Sequence, residues 1–178
     1  HAKHIYIIGI RSCAPLASFM AFYFTLMFPN VHLIQTSSSS EIFEQMVRIG
    51  KEDVIIGISF PRYSMRTLKA MEFANNRSAK VITLTDSVHS PMNLYSSCNL
   101  IADSDMASIV DSLVAPLSVI NALIVALCMK KQNEVAKTLE MLEDIWDEYQ
   151  VYENDEINYI DDSIKMRYGK VGDAELYE

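Results

Sequence analysis

The chain has 178 residues, 50% of them hydrophobic and 21% charged, with a formal net charge of −8. That length suits one α/β domain with a sizeable core, and the composition is that of a soluble globular protein. The negative balance excludes a chain that wraps nucleic acid by itself. Cys13, Cys98 and Cys128 have neither paired nor metal-ligand spacing, which excludes a disulfide scaffold or zinc module and fits reduced thiols in the cytoplasm.

His4 to Gly9 reads as a short apolar strand, turned into a helix by Ile10-Arg11-Ser12-Cys13-Ala14 with Pro15 in the first turn. The helix, Ala14 to Phe28, is apolar nearly all round and so needs cover on more than one side, from the sheet and from a partner subunit. Val31 to Gln35 is a second strand. The serine run 36–40 then forms a capping loop with spare hydroxyls, Ser37 and Ser38 among them, before a helix from Glu41 to Ile49. Val54 to Ile58 is an apolar β-rich run that reads as a strand buried on both faces. It breaks at Ser59-Phe60-Pro61-Arg62-Tyr63-Ser64, and a helical pattern follows from Met65 to Asn76 with Ser64 suited to the N-cap.

Ala79 to Leu84 is a fourth strand, followed by Thr85-Asp86-Ser87, a short helix opened by Ser90-Pro91-Met92, and a fifth strand, Cys98 to Ala102. A long helical pattern runs from Met106 to Lys131, bent or restarted at Pro116. Asn133 to Gln150 is amphipathic, with Val135, Leu139, Leu142, Ile145, Trp146 and Tyr149 on one face. Residues 151–178 are acidic with little apolar period and read as a loosely held extension beyond a domain spanning 1–150. Neither uncharged run, Ser12 to Phe28 or Val114 to Met129, suits a membrane span, because prolines interrupt both and both fall short of about 18 apolar residues. His1 in place of Met fits an excised fragment or a trimmed tag.

Five alternations of strand and helix predict an open parallel sheet with helices on both faces, a three-layer αβα sandwich. In such a sheet ligands bind at the carboxyl ends of the strands, where helix amides favour anions. The stretch Asp53-Val-Ile-Ile-Gly-Ile-Ser-Phe-Pro-Arg-Tyr-Ser64, with Ala79 to Ser87, Ser90-Pro91 and the run Ser104 to Leu123, resembles the sugar isomerase (SIS) domain, and more narrowly its version in RpiR-type bacterial transcription regulators. The resemblance covers roughly residues 4–130. It implies a flavodoxin-like strand order 2-1-3-4-5, which would bring Arg11-Ser12 and Ser59 to Ser64 to one crevice between the first and third strands.

SIS domains usually hold a sugar phosphate with a Ser-x-Ser-Gly-x-Thr loop after the third strand. Here Ser59 and Ser64 match the outer hydroxyls, while Pro61-Arg62 replaces the inner Ser-Gly pair and removes one amide donor. Arg62 would supply a charge-assisted contact instead. Ser12 matches the family's hydroxyl after the first strand, with Arg11 in place of the usual glycine. The expected ligand-binding set is therefore Arg11, Ser12, Ser37, Ser38, Ser59, Arg62, Tyr63 and Ser64.

Other chemistries have little support. Gly9-Ile10-Arg11-Ser12 sits where a dinucleotide fingerprint would, but lacks its second and third glycines and the acidic residue after the second strand. No cofactor and no metal are expected. SIS isomerases need a general base and often a histidine; His89 is a weak candidate, and His4 and His32 lie at strand starts. Glu41 and Glu44 open the second helix, where they favour its dipole, and no acid–base pair is evident. The expected function is the effector-binding, dimerising domain of a transcription regulator, cytoplasmic and non-catalytic, sensing a phosphorylated sugar or related anion. DNA would be met only through an N-terminal helix-turn-helix domain outside this chain. The alternatives are a phosphosugar isomerase and a dimerisation module that has lost its ligand. An acidic chain repels an anion at long range, so local donors must compensate.

Overall fold

The computed structural model describes residues 2–35, 38–104 and 112–152. The chain divides into two compact units, His1–Val135 and Ala136–Glu178. The first is built on five parallel strands, β1 (Ile5–Gly9), β2 (Val31–Ile34), β3 (Val54–Ile58), β4 (Lys80–Thr85) and β5 (Cys98–Ile101), in the order β2-β1-β3-β4-β5. Ile5 of β1 lies opposite both Val31 and Val54, Val54 opposite Lys80, and Ile82 opposite Cys98. The expected α/β sandwich and strand order are therefore found, and the order reverses between β1 and β3.

Successive side chains of a strand point to opposite faces, and this alternation divides the core in two. Ile5 and Ile7 of β1, with Ile56 and Ile58 of β3, pack with α1 (Ala14–Met27) and α4 (Val114–Lys130). Tyr6 and Ile8, with Ile55, pack on the other face with α2 (Ser39–Gln45), α3 (Met65–Asn75) and Met92 from the 3-10 turn Pro91–Tyr95. The apolar helix α1 lies against the sheet through Leu16, Met20 and Phe24 and also packs on α4, so part of the second cover expected of a partner comes from this chain. Phe22 stays 62% exposed on it.

Most element ends fall within a residue or two of expectation. The second helix is shorter, ending at Gln45 rather than Ile49, because residues 46–48 form turns that carry the buried Met46 and Ile49 back under the sheet. Pro116 stands in the first turn of α4, where its missing amide proton costs nothing, so the helix starts there rather than bending. The earlier part of that expected helix, 106–111, lies outside the described residues, as does the extension beyond residue 152. The helix α5 (Gln132–Glu148) continues into the second unit, where the Trp146 and Tyr152 rings meet edge to face at 5.3 Å. Among the described residues no single helix is long and apolar enough to cross a membrane.

Candidate functional site

The carboxyl ends of β1, β3 and β4 form one edge, and the three loops leaving it are built differently. After β1 the chain makes a 3-10 turn, Arg11–Cys13, closed by the Cys13 amide on the Ile10 carbonyl at 3.3 Å. The turn presses on the strand end: a Cβ on Gly9 would lie 2.5 Å from the Cys13 carbonyl oxygen and 3.0 Å from the Ala17 Cβ. Only glycine fits there. Arg11 and Ser12 are exposed on the turn, and Arg11 has φ 59°.

The loop after β3 is cross-linked by its own side chains. Ser59 is 3% exposed; its amide donates to the Leu84 carbonyl at 3.1 Å, and its hydroxyl oxygen accepts the Ser64 amide at 3.0 Å. Ser64 caps α3 as expected, its Oγ accepting the Thr67 amide at 3.4 Å. Both hydroxyls thus hold the loop closed, and each keeps its own proton to donate. Arg62 is exposed at the loop's tip with φ 71°. Among the described residues four non-glycine positions have positive φ, and two of them are Arg11 and Arg62. Those are the two places where an arginine replaces the glycine of the resemblance. A left-handed backbone costs a non-glycine residue about 1 kcal/mol or more, so the chain bears that cost at both positions and gains a guanidinium at each.

Tyr63, next to Arg62, ties this loop to the one after β4. Its hydroxyl donates to Asp86 at 2.9 Å to Oδ1 and 3.2 Å to Oδ2. Burial first, and then the hydrogen bond to Asp86, raise the Tyr63 pKa above its ordinary value. The Thr85 hydroxyl lies 3.1 Å from Asp86 Oδ1 and 2.9 Å from the Ser90 hydroxyl, and its single proton can serve one of them at a time. Ser90 Oγ in turn accepts the Met92 amide at 3.2 Å. Asp86, Thr85 and Ser90 were absent from the expected set. They reach the β3 loop because β4 lies beside β3 in the sheet.

The remaining candidates are spread along the chain. Ser38 caps α2, its oxygen accepting the Ser40 amide at 3.3 Å, at the end of β2. Ser37 lies outside the described residues. Glu41 is in the first turn of α2, and His89 is exposed in the loop after β4. Their parent strands, β2 and β4, are separated by β1 and β3, a span of about 14 Å at the usual strand spacing. His4 and His32 sit at the opposite edge, Nδ1 and Nε2 of the two rings 3.1 Å apart, with Tyr6 stacked on His32. Among the described residues no group of three or more His, Cys, Asp or Glu is placed to hold a metal ion.

The net charge of −8 also conceals a division. Residues 1–104 carry nine Lys and Arg against seven Asp and Glu, a net +2, while residues 105–178 carry six against sixteen, a net −10. The loops of the crevice belong to the positive part. The stretch that carries the site therefore has a small positive balance of its own.

The SIS domain family model matches residues 1–126, and the chain belongs to that family. Over 98 residues it is 32% identical to an uncharacterized HTH-type transcriptional regulator of Caldanaerobacter subterraneus subsp. tengcongensis, a match covering 53% of this chain and 35% of the relative. The chain thus spans about a third of that relative's length. Among solved structures it resembles the sugar isomerase domain of an RpiR transcription factor from Sphaerobacter thermophilus, with a TM-score of 0.75 at 22% identity over 80% of this chain and 79% of that one. It also resembles the Vibrio vulnificus NanR protein complexed with ManNAc-6P, with a TM-score of 0.69 at 18% identity over 81% and 56% of the two chains. A Methanococcus jannaschii protein, whose structure infers a function as 3-hexulose-6-phosphate isomerase, matches with a TM-score of 0.60 at 14% identity over 77% of each chain. At these identities the structures share the fold.

Proposed function

We propose that this SIS domain is the effector-binding and dimerisation domain of a transcription regulator, and that the crevice between β1 and β3 senses a phosphorylated sugar. The observation that carries the reading is the β3 loop, where Ser59, Arg62 and Ser64 gather at the amino end of α3 beside the point where the strand order reverses. The likeness to NanR, solved with a phosphorylated amino sugar, supports it. The regulator context is supported by the Caldanaerobacter relative and the Sphaerobacter transcription factor. DNA contact belongs to another domain of such a protein. Dimerisation is supported by Phe22 on α1 and by Val125 and Met129 on α4, which are 62%, 57% and 75% exposed on packed neighbouring helices.

The domain acts as a sensor rather than an isomerase. His89 and Glu41 follow β4 and β2, which are not neighbours in the sheet. No acid–base pair of the kind an isomerase needs is evident in the sequence, and Tyr63 and Asp86 are engaged with each other. The isomerase reading rests on the likeness to the Methanococcus protein, and turnover of a sugar phosphate that is lost in His89→Ala would establish it.

A thermal-shift and calorimetric screen of hexose, pentose and amino-sugar phosphates tests the sensor. Binding to the folded state raises Tm by mass action. Arg62→Ala should then weaken binding roughly ten- to a hundredfold, since a hydrogen bond to a charged group contributes about 1.5–3 kcal/mol. The reading fails if no sugar phosphate binds at millimolar concentration. Light scattering at tens of micromolar should give at least a dimer mass.

A further inference from the structure

The reading above uses one arginine, and the crevice has two. Arg62 lies in the β3 loop with the hydroxyls of Ser59 and Ser64. Arg11 lies in the β1 loop, exposed, with Ser12 exposed beside it. The strands they leave are paired with Gly9 opposite Ile58, so the loops emerge side by side. Each arginine holds a left-handed backbone, φ 59° and 71°, which glycine would take without strain. A surface arginine placed only for solubility needs no such backbone. The same substitution under the same strain puts an arginine in each of the two loops that flank the crevice.

The charges along this edge also have an order. Arg11 follows β1, Arg62 follows β3, and Asp86 follows β4 on the far side of Arg62. Asp86 already accepts from Tyr63 and lies within hydrogen-bond distance of Thr85. An anion beside Arg62 is therefore favoured to extend toward β1 and disfavoured toward β4. The β3 loop already offers a phosphate one guanidinium and two hydroxyl groups. Arg11 is then available for a second anionic group on the same molecule. A planar guanidinium matches a carboxylate by two parallel N–H···O bonds.

Resting on the sugar-phosphate reading, we infer that the effector is a phosphorylated sugar acid, its phosphate on the β3 loop and its carboxylate on Arg11. The test compares two six-carbon acyclic probes that differ only at one end, glucitol 6-phosphate with a terminal CH2OH and 6-phosphogluconate with a carboxylate. Calorimetry on the wild-type chain should show 6-phosphogluconate binding about tenfold more tightly or better. Arg11→Gly should bring the ratio of the two affinities to about one. That variant suits the left-handed backbone, so its Tm should be no lower than wild type, which separates lost recognition from lost fold. Equal affinities in the wild type would overturn the inference, as would a preference that survives Arg11→Gly. Either result leaves the sugar-phosphate reading standing. If neither probe binds at millimolar concentration while neutral-ended sugar phosphates do, the sugar acid is wrong; if no sugar phosphate binds, both readings fall together.

Discussion

The loops after β1 and β3 leave neighbouring strands, each enters a helix, and each displays an arginine at positive φ, yet they are held by different means. The β1 turn is held by its backbone, pressed so closely on Gly9 that no side chain fits there. The β3 loop is held by side chains: Ser59 on the Ser64 amide, Ser64 on the Thr67 amide, and Tyr63 on Asp86 across to the next loop. A backbone-held turn is lost through one added carbon. A side-chain-held loop loses its links one at a time, so its shape and its ligand contacts can be separated by mutation.

The largest effect should come from testing the backbone-held turn. In Gly9→Ala the new Cβ would lie 2.5 Å from a main-chain oxygen, and α1 would have to move away from β1. Overpacking of this kind costs about 1–3 kcal/mol, and the upper end applies where backbone must shift. In Gly57→Ala the new Cβ would lie 2.4 Å from the Met71 sulfur, the end of a flexible side chain, although one that is fully buried. That variant should lose about 1–2 kcal/mol. Urea unfolding of both variants measures the gap, and a costlier Gly57→Ala would contradict the contrast.

In the β3 loop, Ser59→Ala leaves the Ser64 amide without its acceptor close to the buried end of β3. About 1–2 kcal/mol of stability should be lost, together with sugar-phosphate affinity, because the loop opens and a donor is gone. Tyr63→Phe should cost less in stability, since the ring stays and only the link to Asp86 is cut. Burial of the Tyr63 hydroxyl and this link together have a pH signature. The folded protein holds the Tyr63 pKa above the ordinary 10.0, so the protonated form is favoured by folding. Its stabilisation is complete below pH 10 and is lost as pH rises through the folded value. The Tm gap between wild type and Tyr63→Phe should therefore be constant at neutral pH and close above pH 10. A gap that widens there would show the link to be misassigned.

The framework was legible in the sequence because it rests on local signals. Five apolar runs and the turn chemistry between them placed every strand to within two residues, and Ser64 was readable as a cap from the hydroxyl preceding a helical period. The order of the strands is not in those signals; it came from the resemblance, and the sheet bears it out. The partnership of Tyr63 with Asp86 spans 23 residues and depends on β3 lying beside β4, so no local pattern reveals it. The left-handed backbone of Arg11 and Arg62 was foreshadowed only by the glycines they replace. The total charge is a coarse signal, since a sum of −8 contains a crevice-bearing stretch of +2.

The smallest expected effect sharpens the contrast furthest, because it removes a group that neither holds the loop nor is assigned to the ligand. Thr67 is fully buried in the first turn of α3, and its hydroxyl is the one buried side-chain polar atom among the described residues without a hydrogen-bond partner. Its amide, not its side chain, completes the cap on Ser64, and its methyl lies toward Gly57, 3.4 Å from where a Cβ there would stand. Valine keeps the branched shape and the amide while removing the unsatisfied hydroxyl. Burying such a group without a partner costs about 1–3 kcal/mol, and threonine and valine have similar helix propensities. Thr67→Val should thus equal the wild type or exceed it by about 1 kcal/mol in urea unfolding, with sugar-phosphate affinity unchanged. A loss of stability would show that the hydroxyl has a partner in solution. A loss of affinity at unchanged stability would extend the ligand site one helical turn below the loop, and the division between holding groups and binding groups would have to be redrawn.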